Sequence, residues 1–154
     1  MDHALGRSRG GWGTKLHLVS DGQGRALAVH LTAGQAGDSP AFAEVLERVT
    51  LGRSGRRRPR KIAADKGYST PRVRRWLRHR RIEAVVPTRK DEDALGRRNP
   101  FFDRQAYRQR NVVERCVGRL KEFRKLVTRA EKLAVNYLAM VKLAMIRLWL
   151  NVDS

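Results

Sequence analysis

The sequence is poor in acidic residues, in cysteine and in long apolar runs. It carries 15 Asp and Glu against 34 Lys and Arg, a formal charge of +19. Such an excess of positive charge opposes compaction unless a polyanion neutralises it, so nucleic acid is the leading partner. Most of the cations are arginine, whose forked guanidinium binds phosphate oxygens in pairs, although Arg-rich coding bias gives the same composition. Composition alone therefore does not separate an enzyme acting on DNA from a structural DNA- or RNA-binding protein.

The single cysteine, Cys116, excludes an intrachain disulfide and a cysteine metal cluster, which fits a reducing cytosol. The N-terminal residues lack the apolar segment of a secretory signal. Residues 133–150 are apolar, but the stretch is short and carries Lys142 and Arg147. We expect it to form a buried C-terminal helix and no membrane span.

A length of 154 residues suits one domain with a sizeable core. The pattern predicts a flexible Gly- and Arg-rich segment, a β-hairpin, a strand-helix-strand unit and C-terminal helices; these cover residues 1–13, 14–31, 61–86 and 103–150. Ser39, Thr70 and Asp103 are the expected helix caps, the first two followed by proline. This alternation predicts an α/β fold with helices covering a mixed sheet.

Residues 107–121, YRQRNVVERCVGRLK, place four polar residues of different chemistry at helical spacing. On a helix, Tyr107, Arg110, Glu114 and Lys121 share an arc roughly 60° wide. The opposite side carries an apolar stripe, made of Val113, Cys116, Leu120, Phe123 and Val127. A carboxylate held between cations on such an arc is either a metal ligand facing a phosphodiester or part of a solvated salt-bridge face.

Asp65 follows the short apolar strand 62–64, at a strand end of the kind where ligands gather in open α/β sheets. An Asp before Lys-Gly is also an ordinary turn residue. Upstream, the basic loop 52–61 contains Arg56, Arg57 and Arg58, which form either a solvated linker or an arm that contacts phosphates.

Cleavage of a phosphodiester at a pair of Mg²⁺ ions needs about three carboxylates. Asp65 and Glu114 are candidates for two of them, and Arg110 and Lys121 for holding the phosphates. Three tryptophans are interpreted as anchors at the edges of the core and not as base-stacking platforms: Trp12, Trp76 and Trp149.

The spacing of Tyr107, Arg110, Glu114 and Lys121 resembles the Y-x2-R-x3-E-x6-K signature of bacterial insertion-sequence DDE transposases of the insertion-sequence four and five groups. The DKGY segment that begins at Asp65 is similar to the segment around that family's second catalytic Asp. The stretches GRSRGGWGTKLHL and LTAGQAGDSP resemble the strand and loop between the first and second catalytic Asp.

This resemblance implies an RNase H-like fold and metal-dependent DNA cleavage and strand transfer in DNA transposition. Asp65 and Glu114 would be the second and third catalytic carboxylates and would bind Mg²⁺, with Mn²⁺ as a substitute. Tyr107, Arg110 and Lys121 would contact DNA, and Lys66 beside Asp65 is a further candidate. The protein would act as a homo-oligomer on the element's ends, in the bacterial cytoplasm at the nucleoid.

One departure from the family pattern changes the expectation. The family's first catalytic Asp lies on a strand upstream of the GRSRGG loop, and Asp2 has one residue before it, too few for a packed strand. We therefore expect the C-terminal part of a catalytic domain that lacks its first, central strand and needs an N-terminal transposase part as partner. The alternatives are a non-catalytic DNA-binding remnant that regulates transposition, and a basic RNA- or ribosome-associated protein.

Overall fold

The computed structural model describes residues 3–49, 58–90 and 102–150. The five strands are β1 (Gly6–Ser8), β2 (Gly11–Ser20), β3 (Ala26–Ala33), β4 (Lys61–Ala63) and β5 (Glu83–Val85). The α-helices are α1 (Asp38–Glu47), α2 (Pro71–His79), α3 (Arg104–Arg108), α4 (Asn111–Lys121), α5 (Arg124–Val127) and α6 (Ala134–Leu150). A short 3-10 helix spans Lys66–Tyr68. The mixed α/β composition and the order of the main elements are as predicted.

The strands form two small sheets. β1, β2 and β3 pair antiparallel in that order, and β4 and β5 pair in parallel. β1 covers only the first residues of β2, from Gly11 to Gly13. Within the described ranges no backbone ladder joins the two sheets, so β2 beyond Gly13 and β4 each have one edge without a strand beside it.

A first cluster of buried side chains, the α1 core, connects the two sheets through helices α1 and α2. Val19 from β2 and Ile62 from β4 both pack against it, so apolar contacts join sheets that share no described ladder. Its buried members are Ala28, Phe42, Val45, Leu46, Val49, Val73, Leu77 and Ile82.

A second cluster, the C-terminal core, lies on the opposite face of the β2–β3 hairpin. Successive strand residues point to opposite faces, so Ala28 enters the α1 core and Val29 enters the C-terminal core. Its buried members are Ala26, Val29, Cys116, Leu120, Leu126, Tyr137, Val141, Ala144 and Met145. The predicted C-terminal helix is confirmed as α6, with Val141 fully buried. No helix in the described parts of the chain is long and apolar enough to cross a membrane.

The expectation that one helix capped by Asp103 carries the whole apolar stripe to Val127 is wrong, because the segment forms three helices. At the first junction the N–H groups of Arg110 and Val113 bond to carbonyls three residues back, which tightens the turn. At the second, Phe123 adopts an extended ψ of 92°. This break rotates the apolar stripe, so Leu126 is buried and the predicted Val127 is 60% exposed.

Two smaller predictions also fail. Residues 6–8, predicted to be flexible, form strand β1 because their backbone pairs with residues 11–13. Ser39 does not cap α1, which begins at Asp38; the Ser39 hydroxyl lies 3.1 Å from the Thr70 hydroxyl and links two helices. The other caps are confirmed: Thr70 accepts from the N–H of Val73, and Asp103 from that of Ala106.

His17 is a buried polar residue of the hairpin. Its side chain is 6% exposed, and its Nε2 lies 2.8 Å from the Thr32 hydroxyl. Burial lowers the pKa of His17 below 6.5 and outweighs the charge of Asp38, which raises it; His30 and Lys15 lower the pKa further, and Glu44 raises it slightly. The folded protein therefore holds this imidazole neutral.

A neutral buried histidine makes stability depend on pH. The unfolded chain binds a proton at His17 at a higher pH than the folded chain, so stability is lost as the pH falls below 6.5. We expect the urea midpoint of the wild type to fall between about pH 7.5 and about pH 5.5. The urea midpoint of His17→Asn, which keeps a polar side chain beside Thr32, should fall less over the same pH range. Equal slopes for the two proteins would show that His17 does not titrate in this range.

Candidate active site

Asp65 lies just beyond β4, where the chain leaves the sheet. It caps the 3-10 helix, and its Oδ1 accepts a hydrogen bond of 2.6 Å from the N–H of Lys66. Both Asp65 and Lys66 are exposed to solvent. The carboxylate is thus held at the sheet end with oxygen atoms free to accept further ligands.

The loop after Asp65 is fixed by packing and hydrogen bonds. The Tyr68 ring packs on Phe42 of the α1 core, with ring centroids 5.3 Å apart. Ser69 is 1% exposed, and its hydroxyl accepts from Arg74 at 2.7 Å. Burial raises the pKa of Tyr68, and the charges of Asp38 and Asp65 raise it further. These contacts fix the position of the loop that carries Asp65.

Glu114, Arg110 and Tyr107 form a connected group at the junction of α3 and α4. Arg110 donates a hydrogen bond of 2.6 Å to Glu114 Oε1, and its guanidinium lies 5.6 Å from the Tyr107 ring centroid. The Glu114 side chain is 60% exposed and that of Arg110 26%. Of the four residues predicted to share one helical arc, these three are in contact despite the helix break, because the tightened turn keeps them adjacent.

The charge of Asp65 also acts on the Arg110 guanidinium. Burial lowers the pKa of Arg110, but the hydrogen bond and charge of Glu114, together with Tyr107 and Asp65, outweigh it and raise that pKa. The two candidate carboxylates thus both act on one cation, although they are far apart in sequence.

Lys61 connects β4 to the C-terminal helices. Its ammonium lies 3.0 Å from Glu83 of β5 and 3.0 Å from Asp103, the cap of α3. The hydrogen bond from Ala106 and that from Lys61 both lower the pKa of Asp103. The sequence reading missed this bridge, since nothing local pairs residues so distant along the chain.

The remaining candidates are more scattered. Lys121 is exposed at the end of α4, seven residues and so about 10 Å along the axis from Glu114. Arg58 is exposed ahead of β4, whereas Arg56 and Arg57 lie outside the described residues. Trp12 was misread as a core anchor: its side chain is 74% exposed. Trp76 and Trp149 do lie at core edges, the latter donating to the Ala26 carbonyl at 2.7 Å.

Within the described ranges, no three His, Cys, Asp or Glu side chains gather as a metal site. Asp65 and Glu114 nevertheless suit a divalent ion such as Mg²⁺, because both are exposed carboxylates and such ions prefer oxygen ligands. A pair of Mg²⁺ ions needs about three carboxylates, and Asp65 and Glu114 supply two. Asp65 and Glu114 are therefore compatible with bound divalent ions, but the described residues do not supply the third carboxylate.

Comparison with known proteins identifies the family. The Transposase DDE domain family matches residues 5–149, so the chain belongs to it. A transposase for insertion sequence element IS402 of Burkholderia cepacia is 35% identical over 135 residues, covering 85% of this chain and 60% of that relative. One for IS6501 of Brucella ovis is 29% identical over 139 residues, covering 90% of this chain and 98% of that relative. No solved structure gives a significant match.

Glu114 is exposed and its only described ion pair is with Arg110, so we expect it to contribute little to the stability of the fold. An exposed ion pair four residues apart on a helix stabilises by about 0.3–0.5 kcal/mol. We expect Glu114→Gln to change the free energy of unfolding by no more than about 0.5 kcal/mol, measured by urea denaturation. Glu122→Gln, an exposed residue at the end of the same helix, is the matched control. A much larger loss for Glu114→Gln alone would assign this residue a structural role.

Proposed function

We propose that this chain is the part of an insertion-sequence transposase that carries the second and third catalytic carboxylates, Asp65 and Glu114. Its substrate is DNA, and the reaction is cleavage of a phosphodiester followed by strand transfer. The observation that carries the proposal is the shared cation: Arg110 pairs with Glu114 at 2.6 Å and responds to the charge of Asp65. The family generally uses divalent metal ions, and we propose Mg²⁺, with Mn²⁺ as a substitute.

The residues themselves suit this chemistry. Glu114 is held by a weak, exposed ion pair, so exchanging Arg110 for a metal ion costs little. Arg110 keeps its contact with the Tyr107 ring after the exchange, and its guanidinium is then available to a phosphate oxygen. Asp65 and Glu114 would hold a divalent ion, which would supply polarisation of the phosphate and a lower pKa for an attacking water.

The site needs a further carboxylate, and the sheets offer a place for it. β2 and β4 each have an edge without a strand neighbour in the described structure, while the α1 core packs against both sheets. Unpaired interior edges are costly, since their backbone groups lack partners. We propose that a strand from an N-terminal transposase part occupies this gap, completes an RNase H-like sheet and ends in the first catalytic Asp beside Asp65.

The surface suits a polyanion. The whole chain carries +19, and Lys66, Lys121 and Arg58 are exposed on the elements that lead to or from the two carboxylates. We propose that these residues, with Arg56 and Arg57, contact the phosphates of DNA. Assembly as a homo-oligomer on the ends of the element is part of this proposal.

A second function rests on the same charge. With only two candidate catalytic carboxylates among the described residues, and no cluster of three potential metal ligands there, the chain alone suits a DNA-binding regulator that occupies element ends without cutting them. The two functions differ in one respect: a regulator keeps its affinity for DNA in Glu114→Gln and shows no dependence on metal.

The test compares the chain alone with a fusion to the polypeptide encoded directly upstream, in whichever frame supplies an apolar strand ending in Asp. We expect the chain alone to bind supercoiled DNA without nicking it, and the fusion to nick it when Mg²⁺ is added. Asp65→Asn and Glu114→Gln should each reduce nicking by at least about a thousandfold, because each removes a metal ligand.

The control for this assay is Glu122→Gln in the fusion, which should nick at the rate of the parent protein. Nicking by the chain alone that Asp65→Asn abolishes would contradict the need for a third carboxylate. Failure of every fusion to nick, with DNA binding retained, would favour the regulator.

A further inference from the structure

Trp12 is the most exposed large apolar side chain among the described residues, at 74%. Trp76 lies under the guanidinium of Arg80 at 4.1 Å, and Trp149 under that of Arg25 at 5.2 Å. Trp12 contacts no ring or guanidinium anywhere in the described part of the chain. Its indole faces are open for a planar partner.

Trp12 lies on a short two-stranded ribbon with positive charge and no acidic residue. Strands β1 and β2 pair there with Arg7 directly opposite Trp12. The Cβ atoms of the two residues therefore lie on one face of the ribbon, about 5 Å apart. Arg9, in the turn of the ribbon, is also exposed, and neither arginine has an ion-pair partner within the described ranges. Residues 3–13 contain no Asp or Glu.

The base of the ribbon is firmly anchored. The guanidinium of Arg129, in the turn before α6, donates to the carbonyls of His3 and Ala4 and to the Thr14 hydroxyl. The Thr14 hydroxyl in turn donates to the Ala4 carbonyl at 2.5 Å, and the N–H of Gly34 to the Gly13 carbonyl at 3.0 Å. The backbone that carries Trp12 is therefore fixed before a ligand binds, so binding costs little backbone conformational entropy.

Contacts through helix α1 connect the base of the ribbon to the loop that carries Asp65. Lys15, three residues and so about 10 Å along β2 from Trp12, pairs with Asp38 at 3.0 Å. Asp38 begins α1, and Phe42 of the same helix packs on the ring of Tyr68 in the Asp65 loop, with ring centroids 5.3 Å apart. A continuous series of contacts thus runs from the base of the ribbon to the Asp65 loop.

We propose that Trp12 is a base-stacking site: it receives an unpaired base of the DNA strand held at Asp65, and Arg7 and Arg9 bind the adjoining phosphates. An open indole beside guanidinium groups is the combination that binds single-stranded nucleic acid, because every base has a π face and every nucleotide a phosphate. A protein surface is a poorer occupant, since residues 3–13 expose only two large apolar side chains, Leu5 and Trp12, beside two arginines without an ion-pair partner in the described ranges. The inference rests on the proposed function for its substrate, and not on cleavage.

The test uses the complete chain without metal. Binding of a short single-stranded oligonucleotide and of a blunt duplex of equal length is titrated for the wild type, Trp12→Phe and Trp12→Ala. Stacking predicts that Trp12→Ala loses affinity for the single strand by about tenfold and for the blunt duplex hardly at all. Trp12→Phe keeps a ring and should retain most of the affinity.

Tryptophan fluorescence supplies a direct signal of stacking. We expect the single strand to quench emission from the wild type, and this quenching to be absent in Trp12→Phe even at saturation. Because Trp12 is exposed, these variants should fold as the wild type does, which equal urea midpoints will check. Val135→Ala, at a residue that is 70% exposed on α6, is the matched surface control and should bind both DNAs as the wild type does.

Three outcomes would overturn the proposal. Unchanged single-strand affinity and persistent quenching in the Trp12 variants would exclude stacking on Trp12. Equal losses for both DNAs would assign the ribbon to the phosphate backbone of a duplex. Self-association of the wild type that Trp12→Ala abolishes, with DNA binding unchanged, would assign Trp12 to contact with a second copy. Since Asp65→Asn binds through Trp12 equally well in this account, a failure of cleavage leaves these readouts intact.

Discussion

The apolar cluster that helices α1 and α2 form with the two sheets is the interaction on which the rest of the described structure depends. No described ladder joins the sheets, so the packing of Phe42 and the other buried residues of this cluster fixes where β4 lies relative to the β2–β3 hairpin. Phe42 also supports the ring of Tyr68 in the Asp65 loop. The position of the candidate carboxylate is therefore a consequence of a core contact. Any strand added between the sheets would join a frame that the α1 core already holds.

Positive charge is the second constraint, and the fold disperses it. Several arginines are held by single acidic partners or aromatic rings, as Arg80 is by Glu47 at 2.7 Å and by Trp76. Arg110 differs in being shared between Glu114 and the field of Asp65. Carboxylates are scarce in this chain, and Lys61, which lies 3.0 Å from both Glu83 and Asp103, is a second cation that two of them share. Binding of DNA and metal would satisfy both kinds of group.

Local signals in the sequence predicted what local forces decide. The caps at Thr70 and Asp103 and the contact between Arg110 and Glu114 follow from short spacings, which set geometry within a few residues. The break at Phe123 was missed because tertiary contacts decide it, such as the hydrogen bond from the Tyr137 hydroxyl to the Leu126 carbonyl. Strand β1 was missed because Gly- and Arg-rich residues show no alternation, and only pairing with β2 makes them a strand.

The most direct measurement of the central claim is localised cleavage of the protein by iron. Fe²⁺ substituted for Mg²⁺ and treated with ascorbate and peroxide generates hydroxyl radicals that cut the backbone beside the bound ion. The account predicts two cuts, one next to Asp65 and one next to Glu114, in the completed protein, both suppressed by excess Mg²⁺ and both lost in Asp65→Asn. Cuts at only one of these positions, or confined to the acidic residues 91–93, would contradict a metal site shared by Asp65 and Glu114.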